Sequence, residues 1–306
     1  MFDRSLAMPF HTMNPFHILG HVNTDESGKF PNSKKGSGLT GRDSSDSLLS
    51  QANAVGIIGG ISVISASNFL KKLVQGSSQE GNDCIPFVLC SNPILNKELL
   101  SHERNSFPSL SRQNESFPLD HSAVVENLRS KRLFLEKSGA RCIVMPCHIS
   151  HSWHDEVSKG CSVPFLHMGK CVAMELKEAK LKPLEAGSPL RIGLLATNAT
   201  LTAGFYQEKL QSEGFEVVLP DKATMEHAVI PAIEAVNRKD MEGAQNLLRI
   251  ALQVLLVRAL NTIILASDDM HNVLPQDDPL LKKCIDPMDA LARSAIKWVQ
   301  TAGKGT

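Results

Sequence analysis

From Ala54 onward, short apolar runs rich in β-branched residues alternate with longer stretches of helical period, and this alternation restricts the fold more than any other feature of the chain. The runs are Val55 to Ile58, Pro86 to Cys90, Cys142 to Met145, Val163 to Leu166, Arg191 to Ala196, Glu216 to Leu219, Thr262 to Ala266 and Cys284 to Ile285. Their apolar character is continuous rather than alternating, which predicts parallel strands covered on both faces. Helices are expected at about Ser65 to Gln75, Ser122 to Lys137, His154 to Lys159, Lys170 to Ala179, Thr202 to Glu213, Thr224 to Asn237, Glu242 to Ala259 and Pro287 to Thr301. The pattern is that of a doubly wound α/β fold. Between Glu98 and His121 no period emerges, so a long loop is expected there, carrying Arg104 and Arg112.

The alternation also repeats itself. VGIIGGISVIS answers to IGLLATNATLT, IPFVLCSN to FEVVLPDK, CIVMPCHIS to TIILASDDM, and VPFLHM with its helix to CIDPMD with its helix. Two pseudo-symmetric lobes with parallel sheets follow, the first over 53–163 and completed by the terminal helix 285–302, the second over 164–284. Parallel sheets bind ligands at the carboxyl ends of their strands, so the cleft belongs between the lobes. In this alignment Cys147 is the counterpart of Ser267, and the two are expected to face each other.

Several function classes are made improbable by composition. Lysine plus arginine equals aspartate plus glutamate at 32 each in a chain of 306 residues, which offers no electrostatic footprint for nucleic acid or an anionic membrane surface. No run approaches the roughly 18 uninterrupted apolar residues of a membrane span, since Arg258 and Asn261 break the most apolar one. A small-molecule partner, an amino acid or carboxylic acid, is the better expectation. The seven cysteines form no CxxC pair and read as thiols of a reducing compartment. Residues 1–52 are rich in Ser, Gly and Asn without apolar period, and a disordered tail is expected. Arg4 with a single acid, Asp3, in the first 24 residues faintly resembles a transit peptide, so cytoplasm or plastid stroma is the expected location.

Cys147 follows Pro146 at a strand end and precedes HISHSWHDEV, whose amide groups could favour a thiolate. A buried structural thiol is the bland alternative. His148, His151 and His154 invite a metal reading, but spacings of three and three turn the outer pair about 240° apart on a helix, so no metal site is expected. Gly59 and Gly60 lack the rest of a dinucleotide loop and are better read as letting backbone approach a small ligand, with Ser62 and Ser65 as donors. Asp268 and Asp269 are either an acid/base pair at the cleft or solvated capping acids.

The ordered set GIIGGISVISASNF, CSNP, GARCIVMPCHISH, VPFLHM, IGLLATNATLTAGFYQEKL, VLPDKA, TIILASDDM and IDPMDALAR resembles the aspartate/glutamate racemase superfamily over nearly all of residues 53–300. The resemblance implies cofactor-independent racemisation of an amino acid, two reduced cysteines as bases, and a homodimer. Carried onto this chain, it implies Cys147 as a catalytic base with Ser267 and Asp268 opposite, and Gly60, Ser62, Asn92, His148, His151, Thr197 and Thr200 around the substrate. The departures are specific. The family's Cys-Asn-Thr is here Cys147-His148-Ile149, and its Gly-Cys-Thr-Glu is Ala266-Ser267-Asp268-Asp269. The arginine that follows Asn-Pro in aspartate-specific members is Glu98 here, and a second-lobe lysine aligns with Asn237, beside Arg238 and Lys239. A one-cysteine lyase or isomerase of small carboxylic acids, or a non-catalytic binding protein on the same scaffold, therefore stands as the alternative.

Overall fold

The computed structural model describes residues 53–60, 63–79, 85–105, 121–268, 270 and 272–302. The tail before residue 53, Ser62, Cys84, Arg112, Asp269 and His271 lie outside the described residues, as do the side chains of Glu98 and Arg104. Among the described residues, seven strands form two sheets. β1 (Val55–Ile58), β2 (Phe87–Cys90) and β3 (Cys142–Val144) lie in the order β2-β1-β3, and β4 (Arg191–Ala196), β5 (Glu216–Val218), β6 (Thr262–Ala266) and β7 (Cys284–Ile285) in the order β5-β4-β6-β7. Every pairing is parallel, with Val55 opposite Phe87 and Cys142 in the first sheet, and Ile192 opposite Val217 and Thr262 in the second. In each sheet the first strand is central and its two successors flank it, which is the duplicated, two-lobed α/β architecture that the repeated segments imply.

The helices are α1 (Val63–Gln79), α2 (Pro93–Asn105), α3 (His121–Lys137), α4 (His154–Ser158), α5 (Met168–Glu178), α6 (Asn198–Ala203), α7 (Phe205–Ser212), α8 (Lys222–Thr224), α9 (Ile230–Asn237), α10 (Met241–Leu256) and α11 (Pro287–Ala302). A 3₁₀ turn over Ile149–Trp153 leads into α4, and a π turn over Met225–Val229 joins α8 to α9. Three expectations change. The loop expected from Glu98 is helical to Asn105, because Leu95 and Leu99, four apart, are both fully buried and Asn92 accepts the Ile94 amide at 2.9 Å at the start of the helix. Val163 to Leu166 forms no strand beyond a bridge of Phe165 to Ile143, which nonetheless occupies beside β3 the place that β7 takes beside β6. The helix expected over Thr202 to Glu213 is cut at Gly204, whose φ of 73° ends α6 in the left-handed region.

The continuous apolar strands are covered on both faces. Ile57 and Val144 of the first sheet and Ile192, Leu194, Ala196, Ile264 and Ala266 of the second share one core with α1, α5, α7 and α11. The opposite faces pack outward. Ile58, Ile143 and Met145 meet α2 and α3, whereas Leu195, Ile263 and Leu265 meet α9 and α10. The shared core thus lies between the sheets, and α11, which follows the last strand of the second sheet, returns to α1. Lys72 of α1 pairs with Asp286 at 2.8 Å and Asp289 at 2.6 Å, and Arg293 and Lys297 pair with Glu175 and Glu178 of α5. No helix among the described residues is long and apolar enough to cross a membrane.

Candidate active site

The carboxyl ends of β1 and β3 bring Gly60 and Cys147 into direct contact. A Cβ built on Gly60 would lie 2.0 Å from Cys147 Cβ and 2.3 Å from its Sγ, so only glycine fits here. The close approach predicted for the paired glycines is therefore made by the Cys147 side chain, and at Gly59 by Ser91, whose Oγ would be 2.9 Å from an added Cβ. Cys147 is fully buried. Ser150 Oγ, which sequence reasoning did not single out, lies 3.3 Å from the same Gly60 position, is fully buried, and has no hydrogen-bond partner among the described residues. It is a spare donor beside the thiol.

Cys147 and His148 are neighbours whose side chains diverge. Whereas the thiol packs on Gly60 of the first lobe, the His148 ring reaches the second lobe, with Nδ1 3.0 Å from the Tyr206 hydroxyl and Nε2 3.7 Å from Asp268 Oδ1. His148 is buried, Ser267 is buried, and the Asp268 side chain is 12% exposed. Tyr206 Oη also donates to Met168 Sδ at 2.9 Å, and burial pushes its phenol well above the ordinary range, so it stays neutral. Tyr206 was hidden from sequence reasoning because a tyrosine in an amphipathic helix reads as core.

The remaining predicted residues fall in two groups. Thr197 caps α6, accepting the Thr200 amide at 3.4 Å, and its hydroxyl lies 3.2 Å from that of Thr200 at the carboxyl end of β4. Asn92 holds the equivalent position after β2, its Oδ1 taken up by the Ile94 amide. His151 instead sits behind the thiol, where Nε2 donates to the Met145 carbonyl at 2.8 Å, and this bond braces the end of β3. Its ring stacks on His154 with centroids 5.4 Å apart and lies 5.1 Å from His167, which in turn is 4.6 Å from His154. All three are buried. Desolvation, reinforced by the neighbouring imidazoles, holds His151 well below the ordinary 6.5 and His167 down at about 3, and burial lowers His154 also. These rings are neutral across the physiological range.

Potential ligand atoms of His154, Asp155 and His167 lie within 4.8 Å of one another, a grouping that the helical-face argument for His148 and His154 did not foresee. The donor set does not suit a cation. His167 Nδ1 accepts the Gly169 amide at 3.0 Å as the cap of α5, so its other nitrogen carries the proton, whereas metal-bound imidazoles donate from their second nitrogen. Lys170 and Lys209 add positive charge beside the group. The histidines read as a packed imidazole cluster. Elsewhere the described cysteines are free, and burial raises Cys142 and Cys284 to about 12 and Cys171 to about 11, leaving protonated thiols.

Residues 58–295 match the model of the Asp/Glu/Hydantoin racemase family. The chain is 27% identical over 180 residues to the broad specificity amino-acid racemase RacX of Bacillus subtilis, covering 58% of this chain and 74% of that one. Among solved structures it is similar to the Picrophilus torridus aspartate racemase (23% identity, TM-score 0.59, 81% of this chain and 95% of that one). It is also similar to an aspartate racemase homologue from Pyrococcus horikoshii (21% identity, TM-score 0.64, 81% and 99%). With more than two thirds of its length in the family match and the same two-lobed fold, the chain belongs to the Asp/Glu/hydantoin racemase family.

Proposed function

We propose that this protein is a cofactor-independent amino-acid racemase in which the Cys147 thiolate removes the α-proton. The observation that carries the reading is the 3.7 Å approach of His148 to Asp268. Those residues directly follow Cys147 and Ser267, so the two motif turns that the family uses for its bases are set against each other from opposite lobes. Inverting an α-carbon needs an acid/base group on each side of a planar intermediate, and a cleft between two lobes provides two sides. Ser150, Thr197 and Thr200 supply buried hydroxyls around it. Ser267 stands in place of the second cysteine, and a hydroxyl does not ionise near neutral pH, so returning the proton calls for another acid. The broad specificity of the Bacillus relative supports a general α-amino acid as substrate class.

Incubating the purified chain in D₂O with each enantiomer of aspartate, glutamate and a set of neutral amino acids is expected to place deuterium at Cα. Cys147→Ala is expected to lower that exchange by roughly 10²- to 10⁴-fold, the contribution of one positioned acid/base group. Absence of exchange, or exchange indifferent to the substitution, would overturn the assignment.

A further inference from the structure

We infer that His148, held by Tyr206 and countered by Asp268, is the second acid/base group, so that this chain runs racemisation on a cysteine-histidine pair where related enzymes use two cysteines. The inference rests on the racemase reading and supplies what Ser267 cannot. Its first support is direction. Sequence neighbours can serve opposite faces of a planar intermediate only if their side chains diverge, and here Cys147 packs on Gly60 of the first lobe whereas His148 reaches the wall formed by Tyr206 and Asp268 of the second.

The second support is what the ring meets. The Tyr206 hydroxyl, 3.0 Å from Nδ1 and 2.9 Å from Met168 Sδ, fixes the orientation of the ring. Nε2 lies 3.7 Å from Asp268 Oδ1, within ion-pair reach, so the imidazolium meets a counter-charge. Tyr206 orients the ring and Asp268 stabilises its charged form. Both are positioning residues.

The proton balance closes within the pair. The resting site holds Cys147 as thiolate and His148 as imidazolium. The thiolate takes the α-proton, leaving a thiol and a carbanion delocalised into the substrate carboxylate. The imidazolium then gives its Nε2 proton to the opposite face, ending as neutral imidazole. The thiol and imidazole so produced are the form that runs the reverse direction, and exchange with solvent restores the first. No oxidant or cofactor is consumed.

Enantiomer-resolved exchange in D₂O tests this, with both enantiomers of the best substrate from the panel above. His148→Gln is expected to lose racemisation by roughly 10²- to 10⁴-fold while still washing deuterium, with retention, into the enantiomer whose proton faces Cys147. Cys147→Ser is expected to lose that exchange. Asp268→Asn should move the alkaline limb of the kcat profile, where the imidazolium is lost, to lower pH, and Tyr206→Phe should lower kcat with KM little changed. Racemisation by His148→Gln at the wild-type rate would overturn the inference. So would equal loss of exchange from both enantiomers in a variant that keeps the wild-type Tm. A wild-type chain that exchanges neither enantiomer of any amino acid removes this inference and the racemase reading together, whereas either of the former outcomes removes this one alone.

Discussion

Gly60→Ala is expected to lower α-proton exchange by on the order of 10²-fold and to lower the melting temperature in the same variant. An added methyl would sit 2.0 Å from Cys147 Cβ and 2.3 Å from Sγ, well inside any non-bonded contact, so either the β1 terminus or the thiol must move. Neither is free to do so cheaply. Ile58, Met145 and Cys147 share one buried cluster, and the Met145 carbonyl is held by His151. Overpacking a filled core costs typically 1–3 kcal/mol, and a reacting group misplaced by about 1 Å can cost on the order of 10²-fold in rate. Differential scanning calorimetry with the D₂O assay checks both. An alanine variant with wild-type exchange would mean that Cys147 does its work in another position.

Stability is expected to fall from pH 6.5 downward, well before carboxylates begin to protonate. His151, His154 and His167 are each harder to protonate in the folded chain than in the unfolded one, because burial and the adjacent rings disfavour the cation. Between their lowered values and the ordinary 6.5, the unfolded chain binds more protons, so stability is fully present above about pH 6.5 and is lost as the pH drops toward 3. Each ring contributes up to about 1.4 kcal/mol per pH unit wherever it is protonated in the unfolded chain and neutral in the folded one. Urea midpoints at constant ionic strength from pH 8 to 5 measure the slope. His154→Phe, whose ring already lies against Phe165 at 4.6 Å, should flatten it. A midpoint constant down to pH 5 would show that the three rings are protonated without cost.

What the sequence disclosed follows from how locally each feature is encoded. Runs such as VGII and TIILA declare a two-faced parallel strand by themselves, and their repetition declares two lobes with a cleft. The α2 helix was written there too, in the Asn92-Pro93 start and the Leu95–Leu99 spacing, but its polar remainder masked the period. By contrast, the His148–Asp268 and His148–Tyr206 contacts join segments 120 and 58 residues apart across two lobes, and no local pattern announces them. The imidazole cluster was missed for a related reason. The helical spacing of 148, 151 and 154 does not contain the cluster's third ring, His167, which arrives from the start of a different helix.

The return of α11 to α1 has a consequence for how the chain is made. Gly76 faces Ile296 so closely that an added Cβ would come within 2.7 Å of its Cδ1, and Lys72 waits on Asp286 and Asp289. A polypeptide emerging from the ribosome in order therefore exposes one side of α1 throughout synthesis of the second sheet. Domains commonly fold in sequence, amino-terminal first, and this topology defers the closure of the earliest part until the latest has been made. A premature stop before Pro287 would thus injure the beginning of the molecule as much as its end, and chaperone holding of the nascent chain would have to last to the final helix.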